Sequence, residues 1–197
     1  MTIVEMIRKS LLIEVTALER LRADISPEYE HAVALMLACE GKIVVTGIGK
    51  SGHIGGKIAA SLSSTGTPAF FVHSAEGLHG DSGMIENRDV VMLLSNSGET
   101  REVLDILEIV KLIGSRRIAI TQSAHSTLAK NSDVTLAYKF NSETDYLGLA
   151  PTTSALLQLA IGDALVSTLS ELKKFNKEEF HKYHPGGSLG EHLSVRD

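Results

Sequence analysis

Cysteine is almost missing from this chain. Cys39 stands alone among 197 residues, which excludes an intrachain disulfide and any cysteine-based metal cluster. Its place in the apolar run Ala34-Leu35-Met36-Leu37-Ala38-Cys39 reads as that of an inert core thiol. A basic tract is missing too. Lys and Arg total 19 against 24 Asp and Glu, a formal net charge of -5, whereas a nucleic-acid protein needs a basic phosphate-facing surface. An anionic ligand would therefore be held by local hydroxyls, main-chain N–H groups and a few placed cations. No uninterrupted apolar run approaches the roughly 20 residues that span a bilayer. Residues Met1 to Ser10 mix charged with apolar side chains and lack the apolar stretch of a signal peptide. These absences predict no nucleic-acid partner, no membrane and a reducing, cytoplasmic location.

What is present is ordinary globular material, 43% hydrophobic and 22% charged, enough to bury a real core. Ile7, Leu11, Val15 and Leu18 recur at helical spacing, so the first twenty-odd residues predict an amphipathic helix with an apolar face to hide. Ser26-Pro27 offers an N-cap followed by Pro at the first helical position, opening a second helix to about Cys39. Five short β-branched or apolar runs follow, at Lys42–Thr46, Ala69–Val72, Val90–Leu94, Arg117–Thr121 and Val134–Ala137. Helical patterns lie between them, at Ile54–Leu62, Val103–Ile113 and near Leu128, and a long apolar helix covers about Thr152–Leu172. Strands alternating with helices predict an α/β fold, a parallel five-stranded sheet flanked by helices on both faces. No linker, repeat or low-complexity stretch divides the chain, which predicts one domain over residues 1–197.

In such a sheet, ligands collect beyond the carboxyl ends of the strands. Two of those ends carry unusual chemistry: Gly47-Ile48-Gly49-Lys50-Ser51-Gly52 and Ser95-Asn96-Ser97-Gly98-Glu99-Thr100. In the second, Ser95, Ser97 and Thr100 supply three hydroxyls, Gly98 permits close main-chain approach, and a helix N-terminus follows. A plain N-cap needs one hydroxyl; three predict a cradle for a phosphate monoester. The first loop fits G-x-G-x-x-G, but the next strand ends Val72-His73-Ser74, with no acid for a ribose, so a dinucleotide site is not expected. Lys50 then reads as a cation for a phosphate or for developing negative charge.

With both loops and the motifs Ala75-Glu76-Gly77-Leu78-His79-Gly80-Asp81, Leu147-Gly148-Leu149-Ala150-Pro151-Thr152, Gly162-Asp163-Ala164-Leu165 and His184-Pro185-Gly186-Gly187, nearly the whole chain resembles the sugar isomerase (SIS) family, and within it the arabinose-5-phosphate isomerases. The resemblance implies a flavodoxin-like three-layer sandwich. It also implies interconversion of D-ribulose 5-phosphate and D-arabinose 5-phosphate by an enediol route without a cofactor, a step that feeds the eight-carbon acid sugar Kdo of bacterial surface polysaccharides. It places catalytic positions on Lys50, Glu99, Glu143 and His184, sugar contacts on His79, Gly66 and Thr67, and phosphate contacts on Ser51, Ser95, Ser97 and Thr100. It assigns His73 to an inhibitory metal and implies a homo-oligomer, a tetramer by resemblance. Full-length relatives carry two nucleotide-binding CBS modules after this region, whereas the chain stops at Val195-Arg196-Asp197, so regulation through them is expected to be absent.

The isomerisation needs a base to move a proton between C1 and C2, for which an imidazole or a carboxylate of raised pKa is suited. His184 is the preferred base, with Glu99 or Glu143 as the rival. His184 precedes a Pro-Gly-Gly turn that would deliver it on a fixed loop, from this chain or a neighbouring subunit. His79 would assist ring opening and Lys50 would stabilise the enediolate. The alternatives are another sugar phosphate as substrate, or a non-catalytic sugar-phosphate sensor.

Overall fold

A computed structural model describes residues 1–184. The five apolar runs become five parallel strands: β1 (Ile43–Gly47), β2 (Ala69–His73), β3 (Val90–Leu94), β4 (Arg116–Thr121) and β5 (Val134–Ala137). They lie in the order β2-β1-β3-β4-β5. β1 and β3 are buried at every position, because helices cover both faces, and that is why neither alternates polar with apolar residues.

Along each strand, successive side chains serve different cores. On one face Val45, Met92, Ile118 and Leu136 pack under four helices: α1 (Ile3–Ala23), α2 (Glu28–Leu37), α3 (Gly49–Ser64) and α7 (Thr153–Leu172). On the other, Val44, Val91, Leu93 and Ala119 meet α5 (Arg101–Ile113) and α6 (Thr127–Lys130). The short α4 (Ser74–Gly77) and a 3-10 turn (Asp81–Met84) bridge β2 to β3, and α8 (Lys177–Tyr183) follows α7. α7 crosses α3 where Gly162 faces Ile58; a Cβ at 162 would collide with the Ile58 side chain, so the two helices meet only because the position is glycine. The strand order is the flavodoxin-like one, with its topological switch between β1 and β3.

Some boundaries differ from the sequence reading. α2 is capped by Pro27, not Ser26, and no side chain bonds its first turn. α3 begins five residues before the expected Ile54, so Lys50, Ser51 and Gly52 form its first turn instead of a loop. The glycines hide that turn from a pattern read on apolar spacing. The polar C-terminal segment contains α8, which has its own capping box between Asn176 and Glu179. α7 is also long and apolar enough, by length and composition, to cross a membrane, contrary to the expectation from apolar runs. Here its Leu157, Ile161, Leu165 and Leu169 lie in the core.

Candidate functional site

The crevice beyond the carboxyl ends of the neighbouring parallel strands β1 and β3 is where the two singled-out segments begin. β1 ends at Gly47, and the chain turns through Gly49 at φ +60 straight into α3. The turn is tight because Gly47 lies against the Ser51 and Gly52 main chain: a Cβ at Gly47 would sit 3.2 Å from the Ser51 carbonyl carbon. Lys50 is exposed and Ser51 half-buried at this helix N-terminus. β3 ends at Leu94, and residues 95–100 run into α5, 13 residues long. Gly98 takes φ +70 where any Cβ would strike Ser126 Oγ, so the exit of β4 closes down on the serine loop only because the residue is glycine.

The three hydroxyls do not simply converge on a ligand. Ser95 is buried, its Oγ accepts from Gly98 N at 3.0 Å, and it is hydrogen-bonded to Thr100 Oγ1 at 2.8 Å. Ser97 Oγ accepts from Glu99 N at 3.1 Å and remains exposed. A loop this tight leaves its own N–H groups without main-chain partners, and the nearest hydroxyls satisfy them. The N–H groups of Ser97, Thr100 and Arg101 donate to no acceptor among the described residues. The donors this loop leaves open are thus main-chain N–H groups at the positive end of α5, with the Ser97 hydroxyl exposed at the rim.

The two carboxylates each accept main-chain N–H bonds at the start of another helix. Glu99 precedes the α5 N-cap, Thr100, and reaches across to α6, where its Oε1 accepts from Thr127 N at 2.7 Å. That bond, with Lys130 adding a little, keeps the carboxyl below the usual range. Glu143 Oε2 accepts from Thr152 N at 2.8 Å, Thr152 Oγ1 at 3.1 Å and Ser154 N at 3.1 Å, so it closes the N-terminus of α7. His73 ends β2 with its Nδ1 buried and unpartnered among the described residues, and exposed His79 follows α4. No group of three His, Cys, Asp or Glu suited to a metal gathers there among the described residues.

Three positions assigned to the same site lie elsewhere. Gly66 and Thr67 precede β2, whose first residue Ala69 is level with Val90 across the sheet, at the amino ends of the strands. Strand length alone puts them more than about 13 Å from the serine loop. Gly66, at φ +85, lies under the Phe175 ring. Phe175 meets Phe180 at 6.5 Å between centroids, and the His184 ring stacks on Phe180 at 4.1 Å. Lys173 Nζ donates to Thr67 Oγ1 at 2.8 Å. Gly66, Thr67 and His184 therefore form one cluster, and within a single chain it is not the crevice. Pro185, Gly186 and Gly187 lie outside the described residues.

Sequence reasoning also missed a buried polar line behind the crevice. Gln158 Nε2 donates to Tyr138 OH at 3.0 Å, and Tyr138 OH donates to Asn96 Oδ1 at 2.9 Å. A lone glutamine in the apolar α7 was the one available signal.

A family model described as the SIS domain matches residues 36–168, from the end of α2 almost to the end of α7. The chain belongs to the SIS domain family. Arabinose 5-phosphate isomerase KpsF of Escherichia coli O6:H1 is 47% identical over 191 residues, covering 96% of this chain and 58% of KpsF. Arabinose 5-phosphate isomerase KdsD of Pseudomonas aeruginosa is 46% identical over 189 residues, with the same shares. The chain thus spans somewhat more than half the length of these curated relatives. A solved Escherichia coli CFT073 structure in complex with arabinose 5-phosphate superposes with a TM-score of 0.90 at 44% identity, over 92% of this chain and 97% of that one. In this SIS domain the crevice, both loops, Glu143 and the Gly66–Thr67 turn fall inside the matched region, and His184 falls beyond it.

Proposed function

We propose that this SIS domain interconverts D-arabinose 5-phosphate and D-ribulose 5-phosphate, the whole chain serving as one sugar-phosphate-binding unit in the cytoplasm. The observation that carries the reading is the β1–β3 switch point, where main-chain N–H groups of the serine loop without an acceptor among the described residues lie after the strand next to the one that leads into Lys50 on the first turn of α3. It offers anion donors and one cation without an overall positive field. The chain's kinship with arabinose 5-phosphate isomerases, and with a structure that holds arabinose 5-phosphate, supports the choice of a pentose phosphate.

With the phosphate on the serine loop, the reacting carbons extend toward Lys50 and His79. A base takes the C2 proton of the aldose while the C1 carbonyl oxygen gains a proton. The resulting enediol loses a proton from O2 and gains one at C1, giving the ketose. Lys50 stabilises the charge that develops on oxygen. Glu99, held ionised by Thr127, is poorly matched to the base role, which returns it to His184. His184, Gly66 and Thr67 then reach the crevice from a second copy of the chain, their separation from the serine loop supporting a homo-oligomer, a tetramer in our reading. α1 offers apolar surface for such assembly, with Ile3, Val4, Ile7, Leu11 and Leu12 exposed.

The test is incubation with D-ribulose 5-phosphate in deuterated water, following arabinose 5-phosphate by NMR. Product carrying solvent deuterium at C2 is expected. Binding of pentose phosphates without turnover would make the protein a sensor; turnover of a hexose phosphate alone would change the substrate.

A further inference from the structure

We infer that Tyr138 is a positioning residue for the phosphate cradle: anchored by Gln158, its hydroxyl fixes the Asn96 amide so that the NH2 group faces the bound anion. The inference rests on the serine loop being that cradle.

Tyr138 follows β5, and Tyr138 N donates to Thr121 O at 3.1 Å, which sets the ring at the carboxyl edge of the sheet behind the serine loop. The side chain is 1% exposed, so its hydroxyl meets no bulk water. A phenol has one proton to give. Here it goes to Asn96 Oδ1, while a lone pair accepts from Gln158 Nε2. Burial, with Glu143 adding to it, pushes the Tyr138 pKa far above its ordinary value, so the group is a donor at every working pH.

The line is costly to keep. Gln158 is 1% exposed, and its Oε1 has no partner among the described residues; neither has Ser154 Oγ one turn earlier. Leaving such groups unpaired forfeits their hydration, and an apolar pair of similar shape would fill the space without that penalty. A stability role therefore does not explain it. A role in the crevice does. Asn96 O is pinned by Gln122 N at 3.0 Å and Thr121 Oγ1 at 3.1 Å, so the residue's main chain is fixed independently. The freedom left lies in the side-chain torsions, and the hydrogen bond from Tyr138 restricts them. With Oδ1 occupied, the half-buried amide presents only its NH2, which meets no acceptor among the described residues. The opposite rotamer would aim lone pairs at a phosphate.

The experiment measures inorganic phosphate as a competitive ligand and the pentose phosphate KM, in the full chain and in Tyr138→Phe, Asn96→Ala and the double variant. Each single change is expected to weaken phosphate binding roughly tenfold to a hundredfold, the loss typical of one hydrogen bond to a charged group. KM should rise by more than kcat falls. The double variant should be no weaker than Asn96→Ala, because Tyr138 acts only through Asn96. Unchanged phosphate affinity in Tyr138→Phe, or the same loss persisting when Asn96 is already Ala, would overturn the inference. Should Tyr138→Phe fail to fold, Asn96→Asp leaves the core intact and keeps the acceptor for Tyr138. It should abolish phosphate binding, and binding retained within twofold would be equally fatal. A parent chain that binds neither inorganic phosphate nor pentose phosphate sinks the cradle itself; a parent that binds while the variants match it sinks only Tyr138.

Discussion

Glu99 Oε1 accepts the Thr127 main-chain N–H at 2.7 Å, tying the serine loop to the first turn of α6. The bond favours the charged form, so the folded pKa lies below the unfolded one, about 4.3. Its contribution to folding is therefore present above about pH 4.3 and lost as pH falls through the lower, folded value. Around neutrality Glu99 is a fixed anion. Glu99→Gln should consequently leave the pH midpoint of kcat/KM where it stands in the parent chain, even if the rate drops. A midpoint that moves with this substitution would restore Glu99 as the titrating base.

His184→Ala should keep the fold and lose about 10²–10⁴-fold in turnover, the usual toll for removing a proton-transfer group. Because His184 stacks on Phe180 in the Gly66–Thr67 cluster and not in the crevice, the loss should be repairable in trans. Refolding inactive His184→Ala together with inactive Lys50→Ala should return measurable activity through hybrid sites holding both side chains. Mixed oligomers that form but stay inactive would place His184 in its own chain's site.

The serines should separate by role. Ser97 is exposed at the rim, so Ser97→Ala should raise KM severalfold with the thermal midpoint nearly unchanged. Ser95 is 1% exposed and satisfies Gly98 N, so Ser95→Ala should also cost stability, about 1–3 kcal/mol by chemical denaturation. Equal effects of the two substitutions on KM and on stability would contradict this division.

Gly162→Ala should destabilise by about 1–3 kcal/mol, since its methyl group meets Ile58 with no room to retreat. Pairing it with Ile58→Val should recover part of the loss, and a double-mutant cycle measured by denaturation checks the coupling. Additive effects would mean that α3 and α7 do not meet at these residues.

Local patterns reached far in this chain. Five β-branched or apolar runs, each bounded by small or polar residues, announce five parallel strands, and the Ser-Asn-Ser-Gly-Glu-Thr segment announces a tight hydroxyl-rich loop at the end of one of them. What failed were features without local periodicity. Lys50 sits in a helix because Gly47, Gly49 and Gly52 permit a turn that apolar spacing does not signal. Ser95 and Thr100 bond one another because a six-residue loop must satisfy its own donors, a demand visible only once the loop is closed.

The sequence by itself therefore determined the layers, the strand count and which residue types could grip a phosphate, since burial and helix starts follow from neighbours a few residues apart. The tertiary structure decided which of those residues meet. Parallel strands send Ser95 to one end of the sheet and Gly66 to the other, and only packing brings Asn96, Tyr138 and Gln158 into one line. Contacts between residues 20 to 60 positions apart are set by the crossing of whole elements, and no local spacing encodes that.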